Sequence, residues 1–275
     1  MLIAQITDTH IKPNGALAYG NVLDSALCLK NVVKHCNKFN PTIDLAIVTG
    51  DLTDSGKIEE YEEFNKILID LKMPWFVIPG NHDNSKNLMH FFDKHEYLPR
   101  NEKYCNYVID KYPFTLMGLD TTVIGENFGE LSDESLQWLE LNLKRYSSKP
   151  TILFMHHPPF EIGIDGMDNQ NLKNSAKFFE ILRSYPHVKH IACGHAHRAT
   201  ETVIDGIGIS IAPNGAHSVN LDLISKNPPM FVMEPAAIRI FKLNLIRKNV
   251  ISHLSFVGKY DGPYPFYSEC GVLID

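Results

Sequence analysis

Short apolar runs alternate with segments of helical periodicity along the first 197 residues. The runs lie at residues 2–7, 43–49, 75–79, 114–119, 151–155 and 189–193, and their continuous hydrophobicity is typical of strands covered on both faces. Between them, apolar side chains recur every three or four residues at Tyr61, Phe64, Leu68 and Leu71, and again at Leu136, Leu139, Leu143 and Tyr146. This spacing predicts amphipathic helices, the second capped by Ser132. The alternation predicts an α/β fold with a largely parallel sheet and right-handed crossovers.

The pattern changes after residue 200. Residues 201–213 and 236–257 are rich in β-branched side chains, and residues 220–235 between them contain three prolines and read as a long loop. We therefore expect a core at residues 1–197 and a small β-rich cap at residues 198–255 with a role in oligomerisation. A C-terminal segment at residues 256–275 is expected to return to the core.

The overall composition excludes several classes of partner. The 275 residues carry a formal net charge of −6, with a pI near 6.1, so no basic excess is available to bind a nucleic-acid polymer or an anionic membrane. No apolar stretch is long enough to span a membrane, and the N-terminus lacks the features of a signal peptide. The five cysteines show no C-x-x-C spacing, which favours a reducing cytoplasm. Cys270 could pair between the subunits of a homo-oligomer or remain a free surface thiol.

Polar side chains follow five of the six predicted strands. The chain reads D-T-H at residues 8–10, GDLTDSG at 50–56, GNHD at 80–83, MHHPP at 155–159 and GHAH at 194–197. Each motif alone is a common turn, helix cap or rigid loop. In open α/β sheets, ligands bind beyond the carboxyl ends of the strands. The occurrence of all five motifs at such ends therefore indicates one shared site.

The side chains of these motifs suit a pair of metal ions. One ion would take a carboxylate and two imidazoles, from Asp8, His10 and His197. The other would take an amide oxygen and two imidazoles, from Asn81, His156 and His195, and Asp51 can bridge both. Mixed nitrogen and oxygen ligation suits Fe, Zn, Mn or Co. Two such ions about 3.5–4 Å apart can hold a bridging hydroxide and clamp the oxygens of an in-line phosphoryl displacement.

The five motifs resemble the calcineurin-like metallophosphoesterase superfamily, whose pattern D-x-H, G-D, G-N-H-D/E, H and G-H-x-H is met without a gap. Within it, the chain is most similar to the class III cyclic-nucleotide phosphodiesterases, and particularly to the bacterial glycerophosphodiesterases of that group. This closer likeness includes IPGNHD, FMHHPP, CGHAH, NGAHS and the tail KYDGPYPFYSE. The resemblance implies a four-layer αββα sandwich with a small cap, and the two metal sites described above.

Two positions at which this chain differs from other branches of the superfamily narrow the range of activities expected of it. Ser/Thr phosphatases of the superfamily carry an arginine where this chain has Ser55, and purple acid phosphatases carry a metal-bound tyrosine where it has Asp54. Neither of those activities is expected here. Asp54 would instead pair with His82 and orient it, the alternative being a helix cap.

Several residues are expected to contact the substrate. His82 should lie beside the metal ions and act on the phosphoryl oxygen or the leaving group as a charged donor or general acid. Asn81 and Tyr19 are further candidates, and so is His217, for which a satisfied loop histidine is the alternative. Asp83 is expected to brace the loop.

The combined interpretation is a dinuclear phosphodiesterase that attacks its substrate with a metal-bridging hydroxide. Glycerophosphodiesters are the first choice of substrate, and 3′,5′-cyclic nucleotides are the alternative. A non-catalytic scaffold on the same fold is a more distant alternative, because a decayed enzyme would be expected to have lost some of the ligands.

Overall fold

The structure, a computed structural model, describes residues 1–100, 102–224 and 228–274. Its strands are β1 (Leu2–Ile6), β2 (Leu45–Thr49), β3 (Trp75–Ile78), β4 (Tyr107–Ile109), β5 (Thr115–Leu119), β6 (Thr151–Met155), β7 (Val188–Cys193), β8 (Thr200–Ile204), β9 (Ile207–Ile211), β10 (Ser218–Val219), β11 (Phe231–Val232), β12 (Ala237–Asn244) and β13 (Asn249–Phe256). Its helices are α1 (Ser25–Lys38), α2 (Ile58–Leu68), α3 (Ser85–Phe91), α4 (Asp133–Arg145), α5 (Asp165–Asp168) and α6 (Ser175–Leu182). The six strands predicted from the apolar runs are all present.

The first large sheet has the strand order β13-β12-β1-β2-β3. Its strands β1, β2 and β3 are parallel, with Ile3 opposite Leu45 and Ile47 opposite Phe76. β12 and β13 extend the sheet by antiparallel pairing. All five residues of β2 are buried, as expected for a central strand covered on both faces.

The second large sheet has the order β4-β5-β6-β7-β9-β8. Strands β5, β6, β7 and β9 are parallel, and the edge strands β4 and β8 are antiparallel to their neighbours. The alternation of strands and helices predicted one largely parallel sheet, whereas these strands divide between two sheets, as the resemblance implied. The apolar core runs between these sheets, because Ile152 and Phe154 of β6 pack in the same cluster as Ile47 of β2.

Helices cover the outer face of each sheet. Val32 of α1 and Phe64 of α2 belong to the core around the first sheet, whereas Leu139 of α4 and Phe178 of α6 belong to the core around the second. The resulting four layers are the αββα sandwich that the resemblance implied. Among the described residues, no helix has both the length and the apolar character required to cross a membrane.

Most strands in the region predicted as a cap belong to the sandwich. Within residues 198–255, β8 and β9 complete the second sheet, and β12 and β13 complete the first. The reason is burial: β12 is almost entirely buried, and its Arg239 donates a hydrogen bond across the sandwich to the backbone oxygen of Ile211. These four strands correct the expectation of a separate cap. Only β10 and β11 form a small sheet of their own, and residues 225–227 of the loop predicted at 220–235 lie outside the described residues.

The C-terminal segment also differs from the expectation that it returns to the core. After Val257, whose backbone N–H donates to Ala236, the chain folds on itself through an antiparallel bridge between Tyr267 and Leu273. Its large apolar side chains remain exposed, including Tyr264 and Phe266. The segment thus satisfies its hydrogen bonds locally without burying its apolar side chains in the sandwich.

Candidate metal centre and active site

Loops from both sheets meet at one end of the sandwich, where the parallel strands end. The first sheet carries Asp8, His10, Asp51 and Asn81, and the second sheet carries His156, His195 and His197. Hydrogen bonds join the two halves, since the carboxylate of Asp8 accepts the backbone N–H of His195 at 3.1 Å. The predicted motifs therefore converge, at the seam between two sheets and not along the edge of one.

The backbone is strained at five of the seven predicted ligands. Their φ angles are positive: 55° at Asp8, 42° at His10, 48° at Asp51, 72° at His195 and 51° at His197. A non-glycine residue in this left-handed region costs about 1–3 kcal/mol and persists only where the surrounding structure holds it. Strain of this kind concentrates at functional sites, which supports a functional origin for the cluster.

Two glycines let the loops approach closely. Gly50 has φ of 86°, and a Cβ atom there would lie 2.4 Å from Nδ1 of His156. A Cβ atom on Gly80 would lie 2.3 Å from the backbone nitrogen of Asp51. Any larger residue would clash, so the glycines of the G-D and G-N-H-D motifs are required by packing against the ligands.

One half of the cluster contains Asp8, His10, Asp51 and His197. Their ligand atoms lie within 4.8 Å of one another, and each residue is at most 7% exposed. Nε2 of His10 lies 3.2 Å from Nε2 of His197 and 3.6 Å from Oδ2 of Asp51. These facing nitrogen and oxygen atoms form the first predicted ligand set.

The other half is arranged around Asn81. Its Oδ1 atom lies 3.0 Å from Nε2 of His156 and 3.1 Å from Nδ1 of His195. Nε2 of His156 is also 3.5 Å from Oδ2 of Asp51. The same carboxylate oxygen of Asp51 thus faces both halves, which is the position required of a bridging ligand.

Burial and neighbouring charges set the protonation of these groups. Burial lowers the pKa of His10 and of His195 to about 3. Burial alone would raise the pKa of Asp8, but attraction to His197 and His156 lowers it to about 2. Carboxylates are therefore ionised at neutral pH, and His10 and His195 are neutral, which are the forms in which these side chains bind metal ions.

The donor set fits two divalent transition-metal ions. Two carboxylates, one amide oxygen and four imidazoles, all converging, match the ligand chemistry of Fe, Zn, Mn or Co. The buried nitrogen and oxygen atoms that face one another at 3.0–3.6 Å fit metal binding.

Neighbouring groups fix the orientation of the ligand imidazoles. Nδ1 of His156 lies 2.9 Å from the backbone oxygen of Thr49, and Nδ1 of His197 lies 2.8 Å from Nε2 of His217. Such contacts on the far ring nitrogen leave the other nitrogen of each ring directed at the metal site. His217 is itself only 2% exposed, and burial together with His197 lowers its pKa to about 3.

His82 lies beside the ligands and is exposed. Its backbone N–H donates to Oδ1 of Asp51 at 2.9 Å, and its ring centroid lies 4.7 Å from that of His10. Burial opposes a charge on the ring, but attraction to Asp51 and a hydrogen bond to the backbone oxygen of Asp54 outweigh it and raise the pKa of His82.

Asp54 contacts His82 differently from the prediction. The backbone oxygen of Asp54, and not its carboxylate, lies 2.9 Å from Nδ1 of His82. The carboxylate pairs with Nζ of Lys12 at 2.7 Å. Asp54 does not cap α2 either, since the N-cap of that helix is Lys57. Because a carbonyl oxygen only accepts, Nδ1 of His82 carries a proton and Nε2 is left to face the substrate.

Asp83 joins the two loops that carry Asp51 and Asn81. Its carboxylate accepts backbone N–H groups from Gly80, Leu52 and Thr53 at 2.9–3.1 Å, and hydroxyl groups from Thr53 and Tyr61. Burial and the nearby Asp51 raise the pKa of Asp83 to about 6. The bracing contacts expected of this residue are thus present.

Three aromatic rings border the half that contains His197. The ring centroid of Tyr19 lies 4.7 Å from that of His217 and 5.3 Å from that of Phe231. Tyr19 has φ of 50° and also lies 5.8 Å from the ring of His10. Phe231 comes from β11, which pairs with β10. We call Tyr19, His217 and Phe231 the aromatic wall.

Lys12 and Phe231 border the site and were not among the predicted site residues. Lys12 lies two residues after His10, in a loop that already carries a predicted ligand. That position could have indicated that Lys12 lies near the site. Phe231 is distant in sequence from every motif, and its approach to Tyr19 depends on the pairing of β10 with β11, for which the sequence held no signal.

Fold and site together define a class of protein in which a dinuclear metal centre at the ends of two sheets acts on phosphoesters. Residues 1–199 match the family described as calcineurin-like phosphoesterase, and the chain belongs to this family.

Individual relatives agree with that assignment. The chain is 41% identical over 276 residues to a protein named probable glycerophosphodiester phosphodiesterase GpdQ from Arcobacter nitrofigilis, covering 100% of both chains. It is 32% identical over 196 residues to a 3′,5′-cyclic-nucleotide phosphodiesterase from Nostoc sp., covering 71% of each. Among solved structures, a dimetal phosphatase from Danio rerio has a TM-score of 0.63 at 13% identity, covering 94% of this chain and 98% of that one. This last likeness shows the fold alone.

Proposed function

We propose that this protein is a metal-dependent phosphodiesterase that hydrolyses small phosphodiesters, glycerophosphodiesters first among them. The observation that carries the proposal is the complete set of seven ligands, assembled from five loops with a strained backbone. Full-length likeness to a relative named as a glycerophosphodiesterase supports the substrate class. A scaffold protein would gain nothing from this strain, which argues against the non-catalytic alternative.

Two divalent transition-metal ions would supply Lewis acidity and a hydroxide nucleophile at neutral pH. The chain's residues would hold the substrate around them. Asp51 faces both halves of the site and fixes their separation. Asn81 uses its oxygen toward the ligand histidines, which leaves its amide N–H groups free to donate to a phosphoryl oxygen.

His82 is the proposed general acid. Its raised pKa keeps a larger fraction of the ring protonated near neutral pH, and Nε2 is free to donate to the departing alkoxide. His82→Ala should therefore lower kcat by about 10²–10³ and leave metal content unchanged. The matched control is His90→Ala, which replaces an exposed histidine on α3, outside the site. Loss of metal from the His82 variant, or near-normal turnover, would contradict the assignment.

A 3′,5′-cyclic nucleotide is the second candidate substrate, and the aromatic wall favours it. Tyr19 and Phe231 present ring faces on which a base could stack, with His217 beside them. Likeness to the Nostoc cyclic-nucleotide phosphodiesterase supports this candidate. The two substrates require different binding surfaces. A glycerophosphodiester requires a slot that binds hydroxyl groups, and a cyclic nucleotide requires a surface on which its base can stack.

Kinetics with three substrates would test the proposal. The metal-reconstituted protein should hydrolyse glycerophosphoethanolamine with a higher kcat/KM than cyclic AMP, and both in preference to a phosphomonoester such as glycerol phosphate. The opposite order of the two diesters would favour the cyclic nucleotide. Preference for the monoester would contradict a diesterase.

We also propose that the protein acts in the cytoplasm as a homo-oligomer, dimer or larger. The five cysteines are free, which supports a reducing compartment.

Exposed apolar side chains support the association of subunits. They concentrate in two segments, at Leu221, Leu223, Met230 and Met233 and at Tyr264, Phe266, Tyr267, Val272 and Leu273. Light scattering on the purified protein measures the subunit number, and a monomer at micromolar concentration would contradict the assembly.

A further inference from the structure

Lys12 and Asp54 form an ion pair at the rim of the site. Nζ of Lys12 lies 2.7 Å from Oδ2 of Asp54, and the two side chains are 28% and 26% exposed. A carboxylate oxygen of Asp54 and ring nitrogens of His10 and His82 all lie within 4.8 Å of one another. The pair therefore borders both a metal ligand and the proposed general acid.

The backbone holds this pair in place. The N–H of Asp54 donates to the backbone oxygen of Ile11 at 3.1 Å, and the N–H of Ile11 donates to that of Leu52 at the same distance. Ile11 and Thr53 thus form a parallel bridge between the two loops. A partly exposed ion pair contributes little to stability, so its fixed position beside the site calls for another explanation.

We propose that the Lys12–Asp54 pair is a subsite for the hydroxyl groups of the substrate alcohol, and that Lys12 is a specificity-determining residue. The proposal rests on the phosphodiesterase function given above. A carboxylate accepts hydrogen bonds and an ammonium group donates them, whereas a hydroxyl group does both. Two neighbouring hydroxyl groups, as in an esterified glycerol, can therefore bind to both members of the pair.

The charge of the pair favours the same class of substrate. A lone lysine at the rim would attract the second negative charge of a phosphomonoester. Asp54 neutralises Lys12, so the pair as a whole adds no net charge and offers only hydrogen bonds. Such a subsite selects a diester whose alcohol is neutral and hydroxylated over a dianionic monoester.

A purely structural role makes a different prediction. Asp54 also contacts His82 through its backbone oxygen, so the loss of Lys12 could act only by displacing this loop. In that case two diesters with equally basic leaving groups would be hydrolysed more slowly by the same factor, because both depend equally on the general acid. A hydroxyl subsite affects only the substrates that carry hydroxyl groups.

The test compares two diesters with the holoenzyme. Glycerophosphoethanolamine carries two free hydroxyl groups, and propyl phosphoethanolamine, whose alkoxide leaving groups have similar basicity, lacks both of them. In Lys12→Met, we expect the ratio of kcat/KM for the first substrate to that for the second to fall at least tenfold, mainly through KM. Lys12→Arg should restore most of the ratio, since it keeps the donor and the charge.

The control is Lys66→Met, which breaks an exposed ion pair with Glu63 on α2 and should leave the ratio unchanged. An equal fall for both substrates, or no fall for either, would overturn the subsite while leaving the phosphodiesterase function intact. A wild-type protein that hydrolyses neither diester would overturn the proposed function itself, and the subsite with it. Metal content measured on each variant separates these outcomes from loss of the ions.

Discussion

Metal removal followed by acidification should destabilise this protein steeply. Folding holds three buried histidines neutral: burial lowers the pKa of His10, His195 and His217 to about 3, from 6.5 in an unfolded chain. Below pH 6.5, the unfolded chain therefore binds three protons that the folded chain excludes. Stability contributed by these groups is complete above pH 6.5 and is lost as the pH falls from 6.5 towards 3.

The size of the effect follows from the number of groups. Each histidine contributes about 1.4 kcal/mol per pH unit over that range, so the three together contribute about 4 kcal/mol per unit. Lowering the pH from 7.5 to 5.5 should remove about 4 kcal/mol, a large part of the roughly 5–15 kcal/mol of a typical domain. His156 and Asp83 offset part of this loss. Asp51 raises the pKa of His156 to about 9 despite its burial, and burial raises the pKa of Asp83 to about 6. Over part of this range the folded chain therefore holds protons at both groups that the unfolded chain lacks, and it regains about 2 kcal/mol. Burial also lowers the pKa values of His157 and His190, which adds about as much to the loss, so the net change stays near 4 kcal/mol.

Urea unfolding of the chelator-treated protein at pH 7.5 and 5.5 measures the difference. His195→Asn removes one of these groups and should reduce the difference by about 1.4 kcal/mol. His90→Asn, at an exposed position, should leave it unchanged. Equal unfolding free energies of the wild type at the two pH values would refute the claim that these histidines are buried and neutral.

Two further substitutions test other parts of the site. Asp83→Ala should lower the unfolding free energy by about 2–4 kcal/mol and weaken metal retention, because it leaves three backbone N–H groups unpaired. Tyr61→Phe removes a hydroxyl group that donates to Asp83 and accepts the backbone N–H of Asn84, and should cost about 1–2 kcal/mol. Equal losses for these two variants in thermal unfolding would argue against Asp83 as the joint between the loops. Phe231→Ala should raise KM for cyclic AMP at least fivefold without changing metal content, and an unchanged KM would show that the aromatic wall does not contact a base.

The strands of the sandwich could be predicted from the sequence where both faces of a strand are buried, because such strands are continuous apolar runs. All six apolar runs became strands, because β2 and its parallel neighbours are covered on both faces. β12 and β13 pair with each other as a local antiparallel hairpin, but they were assigned to a separate cap because the alternation of apolar and polar side chains does not identify the sheet that a hairpin joins. β12 pairs with β1, some 230 residues earlier along the chain, placing Ile3 opposite Phe241. Neither strand carries a local signal for that pairing.

The ligand set could be predicted more fully than its surroundings. Asp8 and His195 stand in motifs whose order and spacing are visible in the sequence, and the structure brings them together. The contacts of Asp54 were not visible, because both its carboxylate and its backbone oxygen can pair, and only the packing of its loop against Ile11 determines which partner each takes. Phe231 was missed because its approach to Tyr19 depends on the pairing of β10 with β11.

Titration of the metal-free protein with Mn, Co or Zn, followed by both metal analysis and diesterase assay, examines the dinuclear site directly. We expect two ions per chain at saturation, with hydrolysis of glycerophosphoethanolamine appearing as the second ion binds. Asp51→Asn should lose both the second ion and the activity, since Asp51 faces both halves of the site. Fewer than one ion per chain, with no hydrolysis of any diester, would contradict a dinuclear phosphodiesterase.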